Sequence, residues 1–348
     1  HSLLDKYNLD NNLLAIAIAY SDIICTVSPT YAEEIQYAYA GYELAPIIRE
    51  RKDDLFGILN GIDVKKYNPA TDKHIISHFN AQSFTDQRIE NKRHLQAVAR
   101  LPIREDVPVI GVVSRLTFQK GFDLAESALY RLLADTDVQI VILGTGEPEV
   151  ENGFRRLSQM YKDKATAFIE FDVALAQQIY AGCDMFLMPS HFEPCGIGQM
   201  MAMRYGSLPI VRKTGGLADT VINYDDGDGD VGTGFVFEWE TPEAVLGTMR
   251  WAIDTYYNRP KAWRRMQRRA MQADYSWKNS NLPTRIARRA AMSAVSRYFK
   301  VPPKEFVFLN RKLVGVYPFS SVLDGQFNGE ILLKPYIDRF TVRIESPA

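Results

Sequence analysis

From about residue 108 onward, short apolar runs rich in β-branched and aromatic residues alternate with longer stretches of helical periodicity, a pattern that few folds accommodate. The strand candidates are 108–114, 138–143, 166–171, 185–188, 208–211 and 233–237. Helical patterns follow at 119–134, 147–161, 173–182, 196–206, 216–223 and 241–257. Near-continuous apolar strands need both faces of their sheet covered, and helices between them supply the cover. The pattern predicts a doubly wound α/β domain with a parallel sheet, Rossmann-like in its connections. Such sheets bind ligands outside the carboxyl ends of their strands, so function is to be sought in the strand-to-helix turns.

Four of those turns are unusual: 114–121 (SRLTFQKG), 144–147 (GTGE), 189–196 (PSHFEPCG) and 212–216 (RKTGG). Arg115 and Lys120 place two cations beside one helix start, which suits a diphosphate and equally suits a surface salt bridge. Gly144-Thr145-Gly146 lets the backbone approach a phosphate closely, or forms a plain tight turn. It is also half of a dinucleotide fingerprint, which fails where Glu147-Pro148-Glu149 replaces the third glycine. Thr214-Gly215-Gly216 offers backbone N–H groups at another helix entrance. Glu193, stiffened by Pro194, is a carboxylate that can accept from sugar hydroxyls or oppose positive charge on an anomeric carbon, or else a helix-capping glutamate. Cys195 reads as a small buried hydrophobe rather than a nucleophile. No Asp-x-Asp pair stands at a strand end, and the acidic loop 226–230 lacks calcium-hand spacing, so the reading is a site without metal or other cofactor.

With 41 Lys plus Arg against 42 Asp plus Glu, the net charge of -1 provides no global field for nucleic acid or an anionic membrane. Three cysteines without ligand or framework spacing point to a reducing, cytoplasmic setting. The apolar stretch 13–27 is short for a membrane span, is cut by Ser21 and Asp22, and reads as a helix followed by a buried strand. Residues 1–61 offer too few elements for a core of their own and read as the tail of a preceding domain; 62–107 reads as a linker with a peripheral helix. A helix is expected over 260–300, with Arg264, Arg265, Arg268 and Arg269 on one solvated face.

Taken together these stretches resemble the bacterial glycogen synthases and plant starch synthases, which have the two-domain GT-B fold. The resemblance rests on 27–35 (VSPTYAEEI), 57–63 (GILNGID), the turns at 114–121 and 189–196, and 214–221 (TGGLADTV), and runs from about residue 10 to about 280. It implies transfer of glucose from ADP-glucose, or UDP-glucose, to the non-reducing end of an α-1,4-glucan, with retention of configuration. It further implies that Arg115 and Lys120 neutralise the departing diphosphate and that Glu193 positions the glucose and stabilises the transition state. Gly144, Thr145, Gly146, Cys195, Gly196, Thr214, Gly215 and Gly216 would line the donor, Phe171 would stack on adenine, and Asn60 would face the interdomain cleft.

The expected domains are 1–61, the end of an N-terminal acceptor domain; 62–280, the donor-binding domain; and 281–348, a divergent extension. No Lys-x-Gly-Gly-Leu loop of the kind that opens the family's acceptor domain is present, and His1 stands first, so the chain is expected to be a fragment with little activity alone. Tyr275-Ser276-Trp277 matches the family's late Ser-Trp motif, whereas 302–339 look faintly like the end of the AarF/UbiB kinase-like proteins without a kinase catalytic loop. Two other functions stay open: a donor-binding module without catalysis, and a nicotinamide-dependent oxidoreductase on a similar sheet.

Overall fold

In the computed structural model the described residues are 3–225, 227 and 230–279. The expectations for 281–348, including the kinase-like stretch and the later part of the 260–300 helix, lie outside them, as do three residues of the acidic loop.

The upstream part runs α1 (Leu3–Tyr7), α2 (Leu13–Tyr20), β1 (Ile24–Thr26), α3 (Pro29–Glu34), α4 (Ala38–Gly41), α5 (Ala45–Glu50) and β2 (Leu55–Gly57). Local chemistry sets its helix starts: Asn12 accepts from the N–H groups of Leu14 and Ala15 to cap α2, and Ser28 accepts from Tyr31 to cap α3 ahead of Pro29. β1 and β2 pair in parallel. Contrary to expectation, this part buries an apolar cluster of its own, including Ile18, Tyr31, Ile35, Ile47 and Leu55, because α1, α2 and α5 close over one another. β1 is not the buried strand expected. Cys25 is exposed, since only one partner strand lies beside it among the described residues.

The larger part continues through α6 (Phe84–Val98), β3 (Val109–Val113), α7 (Phe122–Asp135), β4 (Gln139–Leu143), α8 (Pro148–Met160), β5 (Ala165–Phe168), α9 (Val173–Gly182) and β6 (Met185–Met188). It ends with α10 (Gly198–Arg204), β7 (Leu208–Arg212), α11 (Gly215–Thr220), β8 (Phe235–Phe237), α12 (Pro242–Asn258) and α13 (Pro260–Gln272). The sheet is six-stranded and all parallel in the order β5-β4-β3-β6-β7-β8, with Ile110, Val141, Phe186 and Ile210 fully buried along it. The order reverses between β3 and β6, the switch point at which doubly wound sheets place their ligands. All of the described residues belong to one compact unit.

Residues 84–98 are not a peripheral helix. α6 packs on α9 and buries Phe84 and Leu95 together with Arg88, Asn91, Lys92 and Gln96, which disguise a core helix as a polar one. The polar groups survive burial because each is paired: Lys92 Nζ lies 2.8 Å from Asp184, and the Arg88 guanidinium donates to the carbonyls of Tyr205 and Cys183. On α13, Arg264, Arg265 and Arg268 are solvated as expected, whereas Arg269 is half-buried and pairs with Asp230 at 2.5 Å. No helix of the described residues is long and apolar enough to cross a membrane.

Candidate functional site

Because β3 and β6 are neighbours, the turns that follow them, 114–121 and 189–196, lie side by side at the carboxyl edge of the sheet. Gly121 sits at φ +71°, and a side chain there would strike the carbonyl of Pro189, so the two turns pack backbone to backbone. His191 N–H donates to the Gln119 carbonyl and holds them in register. That brings Lys120 Nζ to 2.5 Å from Glu193 Oε2, with side chains only 15% and 8% exposed. Ser190 Oγ donates to the same oxygen at 3.1 Å. Arg115 stays exposed; its guanidinium rests on Gln119, whose amide reaches the Phe192 carbonyl, so it joins the same turn through one relay.

The third turn, 212–216, supports the second from below. Arg212 donates to the carbonyls of Ser190 and His191 and pairs with Glu240. Gly215 has φ +42° with its Cα against the Glu193 carbonyl, and Gly216 N–H donates to that carbonyl at 3.1 Å. The N–H of Gly215 and the hydroxyl of Thr214 both donate to Glu34 Oε1 at 3.0 Å. The N–H groups expected to meet a ligand are therefore engaged by protein, and the turn acts as a brace for Glu193.

Gly144 and Gly146 play a comparable part. The space a Cβ would need is filled by the carbonyls of Ser114 and Leu116, and Leu116 N–H donates to Thr145 while Glu147 N–H donates to Leu116. These glycines let β4's turn lie flat on the turn that carries Arg115 and Lys120. The exposed residue of the trio is Thr145 together with Gly146 at its side; Gly144 is buried.

Cys195 is buried, and burial pushes its thiol up to about 12, so no thiolate nucleophile is available there. Asn60 is buried too. Gly196 adopts φ +68° between Cys195 and the start of α10. Phe171 is 88% exposed beyond the end of β5, an aromatic face open to a ligand. Ile62 N–H donates to the Tyr275 carbonyl and Ile62 bridges Ser276, so the Ser-Trp motif meets the 57–63 stretch. Among the described residues no cluster of three or more His, Cys, Asp or Glu side chains could hold a metal ion.

Several residues around the site were not singled out from the sequence. Glu34 reaches the 212–216 turn, Ser28 Oγ donates to the Pro194 carbonyl at 2.6 Å, and Thr30 donates through N–H and hydroxyl to Asp219 at 2.9 and 2.7 Å. All three belong to the 27–35 stretch, whose Ser-Pro-Thr cap and closing glutamate are the signal that could have exposed them. His191 stacks on Phe118, with ring centroids 4.5 Å apart, and lies 2.8 Å from Asp123.

Residues 96–270 match the family model described as glycosyl transferases group 1, and residues 3–50 match the starch synthase catalytic domain. A glycogen synthase of Streptococcus pneumoniae (strain Hungary19A-6) is 47% identical over 272 residues, covering 78% of this chain and 56% of that protein. The chain thus spans about half the length of the curated relatives it matches. Among solved structures, the catalytic domain of starch synthase IV from Arabidopsis thaliana, bound to ADP and acarbose, superposes with a TM-score of 0.74 at 37% identity, covering 82% of this chain and 58% of that one. Sucrose-phosphate synthase from Thermosynechococcus elongatus, at 21% identity and a TM-score of 0.52 over 83% of this chain and 62% of that one, shares the fold.

Proposed function

The chain belongs to the group 1 glycosyltransferases, in their glycogen and starch synthase branch, and from that premise we propose that it carries the donor half of a retaining glucan synthase. Glucose would pass from ADP-glucose to the non-reducing end of an α-1,4-glucan. The observation that carries the reading is the Lys120–Glu193 pair, enclosed at the point where the strand order reverses.

In the absence of donor the two charges satisfy each other. When the diphosphate arrives, Lys120 turns to it and Arg115 adds a second cation from the rim, as suits a leaving group that gains charge. Glu193, released from Lys120, faces the sugar and opposes the positive charge that grows on the anomeric carbon. Ser190 keeps the carboxylate oriented. Phe171 offers its face to the base, in line with the ADP in the starch synthase IV structure. Residues 1–61 would be the end of the acceptor half, which seats the glucan, and residues 62–280 the donor domain. Transfer needs donor and acceptor held together in a closed cleft, so the complete two-domain enzyme is the active species. The nicotinamide reading is not favoured, since Gly144 and Gly146 spend their open faces on neighbouring backbone rather than on a pyrophosphate.

Calorimetry on this chain tests the proposal with four ligands: ADP, ADP-glucose, UDP-glucose and NAD. Saturable heat with ADP and ADP-glucose, weaker heat with UDP-glucose and none with NAD is the expected result. A folded sample that ignores ADP defeats the donor reading, and tighter binding of UDP-glucose reassigns the base.

A further inference from the structure

We propose that Glu34 is a positioning residue for the sugar-facing turn: from the upstream part of the chain it fixes Thr214 and Gly215, and through them the main chain of Glu193. The inference rests on the proposed reading of Glu193 as the carboxylate that faces the donor sugar.

Glu34 closes α3, and one of its oxygens, Oε1, accepts from both the Thr214 hydroxyl and the Gly215 N–H at 3.0 Å. The next residue, Gly216, donates its N–H to the carbonyl of Glu193. Gly215 lies so close to that carbonyl that a side chain on it would collide there. A displacement of Thr214 or Gly215 is therefore passed to Glu193 by direct contact. The other oxygen of Glu34, Oε2, is buried without a hydrogen-bond partner among the described residues. Leaving a buried carboxylate oxygen unpartnered is unfavourable. A contact optimised only to hold two parts together would use a shorter, neutral side chain or pair both oxygens. Glu34 does neither, and what its carboxylate grips is the turn.

Attachment of α3 does not depend on Glu34. Ser28 bonds the Pro194 carbonyl, and Thr30 makes two bonds to Asp219. With those contacts intact, loss of the Glu34 side chain leaves the two parts joined and frees the turn alone. A structural role predicts equal weakening of every donor ligand; a positioning role predicts a loss confined to the sugar.

The test titrates ADP and ADP-glucose separately into this chain as wild type, Glu34→Ala and Glu34→Gln, with thermal melts to confirm folding. Losing two hydrogen bonds to a charged acceptor predicts about tenfold weaker ADP-glucose binding in Glu34→Ala, with ADP affinity held within about twofold. Glu34→Gln, which keeps an acceptor oxygen, restores the wild-type ratio. Equal weakening of both ligands, or of neither, overturns the proposal. Amide hydrogen exchange in the ligand-free chain supplies a second reading: Gly215 and Gly216 exchange faster in Glu34→Ala and at the wild-type rate in Glu34→Gln. Unchanged exchange in Glu34→Ala overturns the proposal whatever the ligands do. A wild-type chain that binds neither ligand overturns the donor reading and the sugar-positioning role together, and exchange then still reports whether Glu34 holds the turn.

Discussion

At the amino edge of the sheet Asp184 is enclosed by Lys92 and Arg88; at the carboxyl edge Glu193 faces Lys120. Both carboxylates are under a tenth exposed, and yet their cations are held differently. Lys92 Nζ lies 2.8 Å from Asp184 and donates to the Glu105 carbonyl and the Tyr256 hydroxyl, and Asp184 also accepts from Val109 N–H at 2.9 Å. At the carboxyl edge, Lys120 and Ser190 both converge on Oε2 of Glu193, and no described residue donates to Oε1. The amino-edge lysine is fixed by three groups of the fold, and that cluster is structural. At the carboxyl edge Glu193 is the one side chain to which Lys120 donates among the described residues, so that cation is prepared to turn to something else.

Removing the carboxylate from each pair separates the two roles. Asp184→Ala strands two buried cations, and breaking a buried pair in this way costs about 3–5 kcal/mol of stability, readable from denaturant unfolding. If the variant unfolds within about 1 kcal/mol of wild type, the amino-edge cluster is not the structural element described. Glu193→Ala leaves Lys120 able to turn toward solvent, so its stability cost stays at or below about 1 kcal/mol. On the role proposed for Glu193, its effect is expected in turnover of the complete two-domain protein, where losing one group that stabilises transition-state charge lowers kcat by about 10²–10³-fold while ADP affinity is kept. Full activity in that variant removes Glu193 from the chemistry.

The difference between the two edges also explains what could be read in advance. The six strands and the helices between them were legible because apolar runs buried on both faces leave an unbroken signal; the 185–188 strand and the 173–182 helix fall where the pattern put them. The fold class put the strand-to-helix turns on one edge, and the observed strand order sets those after β3 and β6 side by side. Polar partnerships between distant segments carry no period. Arg88 and Lys92 made α6 look like a solvated helix, because nothing local announces Asp184 more than ninety residues on. Glu34 reaches Gly215 across 181 positions. Glycine signals were legible as close approaches but not as approaches to what: at Gly144 and Gly146 the neighbour is the protein's own backbone.

Glu34 stands between the two extremes and sharpens the comparison with the smallest expected effect. Burial raises its carboxyl above the ordinary 4.5, opposed by the bonds from Gly215 and Thr214 and by Arg212, with Asp219 adding to the rise. Tyr39 lies close enough to sense the same charge. A carboxyl raised in the folded state binds protons more tightly there than in the unfolded chain. Its contribution is thus fully present below the ordinary value and is lost as pH climbs through the raised one. Glu34→Gln has no proton to lose, so the stability of wild type relative to this variant should fall with rising pH just above 4.5 and then level off. Paired unfolding curves across that range measure the difference. If wild type instead gains on the variant as pH rises, the carboxylate is better compensated than its unpartnered Oε2 implies, and Glu34 belongs with Asp184 rather than with Glu193.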